Sequence, residues 1–275
     1  MRVQAVTGAC ALGHDPARWL EALPSGAVPG ALPDVERPAD LDPQAWRRMS
    51  ALARLAVVQV RALLDRRAVP EPLPVVWATG LGELPATLGF LEPLLTRGRR
   101  RPLLFRGSVH NVPAAWLSIT LGLSGPSETV SAGWCTATAG LLRALSLAGR
   151  YGQALWVGGD DAPAALEAAL AALGRGPAGA GVAALLLSTD GDGPRIRVSC
   201  APRPPAPDGR PLMSVMSPLP EEALPDPPGA SPARGVFGEG PVAGILTLAA
   251  LAAGGGGRLV ERSGGAWLVA EVERG

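Results

Sequence analysis

The stretch that decides the fold runs from Phe105 to Leu145, FRGSVHNVPAAWLSITLGLSGPSETVSAGWCTATAGLLRAL. Its hydrophobic period changes along its length. Thr129 to Ser131 reads as a strand, and helical spacing takes over from about Thr136. A strand-to-helix turn therefore falls on Ser131, Gly133, Trp134 and Cys135. Upstream, His110 and Asn111 sit where a loop enters the preceding helix.

Working outward, the same alternation recurs. MRVQAVTGACALG opens the chain as a strand ending in glycines. From Gln44, Trp46, Met49, Leu52, Leu55, Val58 and Ala62 fall at three- and four-residue spacing, which predicts one amphipathic helix with arginines outside. PLPVVWATG, QALWVGGDD and VAALLLST read as buried strands, with helices near 86–95 and 162–173. The pattern predicts a layered α/β fold. Residues 201–234 hold eleven prolines and are expected to form an exposed crossing without sheet. PVAGILTLAALAAGGGG then reads as an apolar helix, and GRLVERSGGAWLVAEVE as a closing hairpin.

Composition excludes several chemistries. Hydrophobic residues make up 47% of the 275 and charged residues 18%, a globular and not a disordered balance. Twenty-five basic residues oppose 24 acidic ones, which gives no electrostatic reason to expect nucleic acid. Every basic residue is an arginine; Schiff-base chemistry and a phosphate loop ending in GK[ST] are out. The two histidines are His14 and His110, so no mechanism can use a later one. Cys10, Cys135 and Cys200 are too scattered for a disulfide framework or a zinc site. No metal or other cofactor is expected. The G-x-G of ATGLGELPATLG lacks its third glycine in register, and Asp160–Asp161 read as turn and cap residues. No signal peptide is read at the start, and the longest apolar run, around Val242–Ala253, falls short of the ~18 residues of a membrane span. A soluble, cytoplasmic protein is expected.

VTGACALG, RRMSALARLAV and above all GPSETV followed by its strand-to-helix turn resemble the N-terminal half of β-ketoacyl synthases, within the thiolase-like layered α/β/α fold. More narrowly, the chain resembles the short ketosynthase-like proteins (the β-ketoacyl synthase-like N-terminal domain family) of aryl polyene and related pathways. The resemblance runs from about residue 3 to 190. It implies one ketosynthase-like domain over 1–275, truncated relative to full ketosynthases. Within it, 1–200 would form the N-terminal-half core, 201–234 the crossing, and 235–275 a short helix and hairpin.

In active members the turn carries a nucleophilic cysteine at a helix N-terminus, where backbone N–H groups and the helix dipole favour thiolate and oxyanion. Later histidines assist decarboxylation. Aligning GPSETVSAGW places Trp134 at the nucleophile position, with Cys135 one residue late. One residue on a helical turn rotates a side chain by roughly 100°. Where the family's lysine and Gly-His motif would fall, this chain reads GVFGEGPVAGIL, with Glu239 near the histidine position. The resemblance thus implies a non-catalytic, chain-length-factor-like subunit. It would form a heterodimer with an active β-ketoacyl synthase in fatty acid or polyketide-type biosynthesis.

Asn111, Ser131, Gly133 and Thr136 would line the pocket or the interface, and Arg97, Arg99, Arg100 and Arg101 would contact an acyl carrier protein. The alternative is a small acyltransferase or thioesterase-like enzyme that uses Cys135 with His110. The plain readings stand beside it: Cys135 as a small buried apolar residue, His110 as a structural histidine, and the arginines as a solvated loop.

Overall fold

The computed structural model describes residues 1–19, 21, 31–65, 67, 71–215, 226–233, 237, 241–254, 256–263 and 266–274. The first half begins with strand β1 (Arg2–Cys10), followed by helices α1 (Pro16–Trp19), α2 (Pro43–Arg48) and α3 (Ala51–Leu64). Strand β2 (Val75–Ala78) leads into α4 (Leu84–Arg97), α5 (Pro102–Gly107) and α6 (Val112–Leu121). Next come β3 (Ser127–Val130), α7 (Thr136–Tyr151), β4 (Gln153–Asp160), α8 (Ala164–Ala172) and β5 (Gly181–Ser188). The second half holds β6 (Arg195–Ala201), β7 (Leu212–Val215), β8 (Ser231–Pro232), α9 (Val242–Gly254), β9 (Gly257–Ser263) and β10 (Ala266–Glu273).

Two sequence expectations change. The helix expected from Gln44 is two helices, because Ser50 leaves helical geometry and its Oγ accepts the Ala53 N–H at 3.0 Å. That N-cap starts α3 afresh. The proline-rich crossing also contributes sheet: β7 and β8 lie inside it. Proline is tolerated there because β8 is a two-residue edge strand.

The strands pair in the order β3-β2-β4-β5-β1-β6-β10-β9-β7-β8. Each half, read inward from its edge, runs third, second, fourth, fifth, first strand. In each, the fifth strand is antiparallel to both neighbours and the other pairs are parallel. The halves meet at one bridge, Arg2 opposite Arg195, where the Ile196 N–H also donates to the Met1 carbonyl at 2.9 Å. The order is a palindrome. The chain is thus a structural duplication that shows no short-period repeat in its sequence.

The central layer is the pair α7 and α9. Eleven successive residues of α9, Val242 to Ala252, are buried, and Ala137, Leu141, Ala144 and Leu147 of α7 join them in the largest apolar cluster. On the other face of the first half, α3 and α6 bury Leu52, Leu55, Val60 and Leu117 against Val75, Trp77 and Leu155. With both faces covered, every residue of β5 is buried. The second half contributes α9 to the central layer. Its outer face is covered by the crossing, where Arg258 Nη2 donates to the Ala206 carbonyl and the Asp208 carboxylate at 2.9 and 2.8 Å. Leu212, Val260, Trp267 and Val269 form a small cluster beneath.

Gly140 sets how closely α7 approaches the sheet. A Cβ there would lie 2.7 Å from the Ala78 Cβ and 3.1 Å from Trp156 Nε1. At an exposed helical site, Gly→Ala gains up to about 1 kcal/mol. Here overpacking reverses the sign, and we expect Gly140→Ala to lose about 1–3 kcal/mol in urea denaturation; a gain would show that α7 packs further from β2.

Candidate functional site

The carboxyl ends of the parallel strands β2, β3 and β4 and the start of α9 converge at one place, where open α/β sheets commonly bind ligands. Strand β3 ends as its Val130 carbonyl accepts the Thr79 N–H at 3.0 Å. Gly133 adopts φ +53°, a left-handed conformation that opens the short 3-10 turn Gly133–Cys135. Thr136 closes that turn: its buried hydroxyl donates to the Gly133 carbonyl at 2.7 Å and accepts the Ala132 N–H at 3.0 Å. Ser131 and Gly133 are exposed.

Trp134 and Cys135 leave this turn in different settings. Trp134 is half-buried, with its indole packed against the central core. Cys135 is buried, and its Sγ donates to the Arg262 carbonyl of β9 at 2.6 Å. His110 lies at the entrance of α6 with its ring against Gly82, where a Cβ would fall 1.9 Å from its Cδ2. Gly82 takes φ +61°, so both conformation and close approach call for glycine. Glu239 lies outside the described residues.

Three buried carboxylates frame the region. Asp160 at the end of β4 accepts the Thr79 hydroxyl at 2.5 Å, the Leu81 N–H at 2.8 Å and the Gly80 N–H at 3.2 Å, tying down the β2–α4 loop. Burial pushes its carboxyl up to about 6, against the pull of those donors. Glu83 accepts the Ser50 hydroxyl at 2.7 Å; burial raises it to about 7, and the charge of Asp161 adds to the rise. Glu261 of β9 is fully buried. Its Oε2 accepts the Thr138 N–H in the first turn of α7 at 2.8 Å, while among the described residues Oε1 has no hydrogen-bond partner. Burial raises it to about 7. Sequence reading missed Glu261; the signal was a glutamate two residues after Leu259 in a strand, which puts both on one face. Among the described residues, no group of three His, Cys, Asp or Glu is placed to hold a metal ion, and no helix is long and apolar enough to cross a membrane.

A second region flanks the turn. Arg97, Arg99, Arg100 and Arg101 are exposed on and after the end of α4, and no acidic residue occurs between Glu92 and Glu128. Leu91, Leu95, Leu103, Phe105, Val109 and Ile119 are exposed on the same segment. A groove of about 410 Å³ runs between α5 and α6, with Leu103, Trp116 and Ile119 along it and Arg48, Arg106 and Asn111 among its polar lining. Apolar exposure this concentrated marks an interaction surface.

Residues 21–212 match the family model of the beta-ketoacyl synthase N-terminal domain. No curated protein matches significantly. Among solved structures, a ketosynthase (ApeO) in complex with its chain length factor (ApeC) from Xenorhabdus doucetiae matches at 19% identity and TM-score 0.63, covering 98% of this chain and 99% of that one. The ishigamide ketosynthase/chain length factor matches at 17% identity and TM-score 0.71, covering 99% of each chain. A beta-ketoacyl synthase from Burkholderia phymatum STM815 matches at 12% identity and TM-score 0.67, covering 100% of this chain and 99% of that one. These likenesses show the fold, the thiolase-like layered arrangement.

The buried acids give a pH signature. Asp160, Glu83 and Glu261 all titrate higher folded than unfolded, so their stability is complete below about pH 4 and is lost as pH rises through 6 to 7. The lowered carboxyls, such as Asp40 and Glu71, act only at more acid pH. We expect the urea midpoint to be lower at pH 7.5 than at pH 5.5, by the equivalent of about 2 kcal/mol or more, each pKa unit being worth ~1.4 kcal/mol.

Proposed function

Because the chain belongs to the beta-ketoacyl synthase N-terminal domain family, we propose that it is a non-catalytic, chain-length-factor-like subunit that pairs with an active β-ketoacyl synthase and helps close that partner's acyl tunnel. The observation that carries this reading is Trp134. On the resemblance of GPSETVSAGW, this indole takes the nucleophile position of the strand-to-helix turn; it is half-buried and packed against the core, and no histidine follows it in the sequence. Condensation needs a thiolate to hold the acyl group and proton donors to handle the decarboxylating partner. Trp134 supplies neither; its bulk fills the volume that an acyl chain takes in an active subunit.

Pairing is supported by the sheet edge. Strand β3 is outermost, with β2 on one side and no strand on the other among the described residues. An open edge next to exposed apolar side chains is a template for joining another sheet. Ser131 and Gly133 follow the end of that strand and are exposed, and Asn111 borders the α5–α6 groove. Thr136, being buried in its own turn, shapes the interface without touching a partner. The solved relatives include ketosynthases described with their chain length factors. Another pairs a ketosynthase with a type II polyketide acyl carrier protein. On this reading Arg97, Arg99, Arg100 and Arg101 contact the acidic surface or the phosphopantetheine phosphate of such a carrier. The pathway is of fatty acid or polyketide type, aryl polyene-like, and cytoplasmic.

Co-expression with a candidate ketosynthase should yield a one-to-one complex that buries over ~2,000 Å², as obligate pairs do. A stable monomer that ignores every such partner overturns the pairing. Ile119→Asp and Leu103→Asp, both at exposed positions, should weaken the complex at least ten-fold without lowering the melting temperature of the chain alone. An acyl-thioester probe should leave the wild type unlabelled; labelling that disappears in Cys135→Ala would favour the Cys135–His110 enzyme instead.

A further inference from the structure

Strand β9 of the second half delivers a carboxylate to the first turn of a first-half helix. Glu261 alternates with Arg258, Val260 and Arg262, so it alone of these points into the central layer. Its Oε2 accepts the Thr138 N–H at 2.8 Å. Its Oε1 lies against α9, where a Cβ on Gly244 would fall 2.2 Å away. Glycine at 244 thus makes the room that the carboxylate fills. The side chain is wedged between the N-terminal turns of both central helices, fully buried, with one oxygen unpartnered.

Among the described residues, the elements packed against it bring no other charged side chain to it. The first two turns of α7 and the whole of α9 carry no ionisable side chain. On β9, Arg258 turns to Ala206 and Asp208, and Arg262 stacks on the Trp267 ring at 5.3 Å. Glu271 and Glu273 of β10 pair with Arg197 on the outer face, and β7 contributes no charged residue. Cys135 is the nearest other titratable group in the turn, and its proton is held by Arg262 O.

The unsatisfied N–H groups of a helix N-terminus carry about half a positive charge, which is what lowers the pKa of a thiol placed there. We propose that Glu261 is an internal counter-ion that occupies this anion position at α7, so that the site is closed electrostatically as well as by the Trp134 indole. The proposal rests on Trp134 marking the nucleophile position. Its consequence is that, above about pH 7 where the Glu261 carboxyl is ionised, restoring a thiol at 134 does not restore a thiolate, because the dipole and the Thr138 N–H already serve another anion. Glu261 is a positioning residue: it touches no substrate and acts through the field at the turn.

The test uses Trp134→Cys with and without Glu261→Gln, both in a Cys135→Ala background so that the turn holds one thiol. Iodoacetamide alkylation of residue 134 is followed against pH by mass spectrometry. With Glu261 present, the midpoint should lie at or above the ~8.5 of an unperturbed thiol. With glutamine it should fall by about one unit, which gives roughly ten-fold faster alkylation at pH 7. Superimposable profiles overturn the proposal. So does a midpoint below about 7.5 with Glu261 in place, and that decides the matter even if circular dichroism shows the glutamine variant unfolded. The readout needs no ketosynthase: a chain that pairs with nothing yet shows the shift loses the pairing and keeps Glu261.

Discussion

The burial of two helices between two half-sheets governs most of this molecule. α7 and α9 share one layer, and the palindromic strand order brings both of their N-terminal turns to the same end of the sheet. That layer is tight: Gly140 against Ala78 on one side and Gly244 against Glu261 on the other leave no room for a methyl group. The site has its position because the close packing of α7 and α9 fixes where their first turns fall.

Much of this was legible beforehand. The strands β1, β2, β4 and β5 announced themselves as short apolar runs bounded by Gly and Pro, and α7 by a period change at Thr136. What escaped reading depended on distant partners. The break before α3 needed the capping geometry of Ser50, since the apolar spacing runs through it unbroken. Strands β7 and β8 escaped because prolines dominate their surroundings, and two to four residues paired with β9 leave no periodic trace. The duplication is invisible in sequence because what its second copy keeps is the order and direction of its strands, which leaves no periodic trace.

The same limit applies at the site. Trp134, Cys135, Gly133 and Thr136 sit on one turn, as contiguous residues must. His110 packs against Gly82, whose φ +61° turn receives its ring, a contact that no local pattern announces. Glu261, more than a hundred residues from Thr138, could be suspected from strand alternation but not assigned a neighbour.

One asymmetry of the layers has a mechanical consequence. The first half is clad in helices on both faces, whereas the outer face of the second is held by the crossing, through Arg258 to Asp208 and Arg210 to Asp208 and Glu271. The half-exposed Arg210 pairs weaken with salt, the Arg258–Asp208 pair, with its buried arginine, less so, and helix-packed apolar faces do not. Amide exchange would therefore run fastest in β6, β7 and β10, with high ionic strength loosening that half first. The stiff end of the molecule is the one bearing the open edge of β3, and whatever flexing it undergoes is confined to the far side.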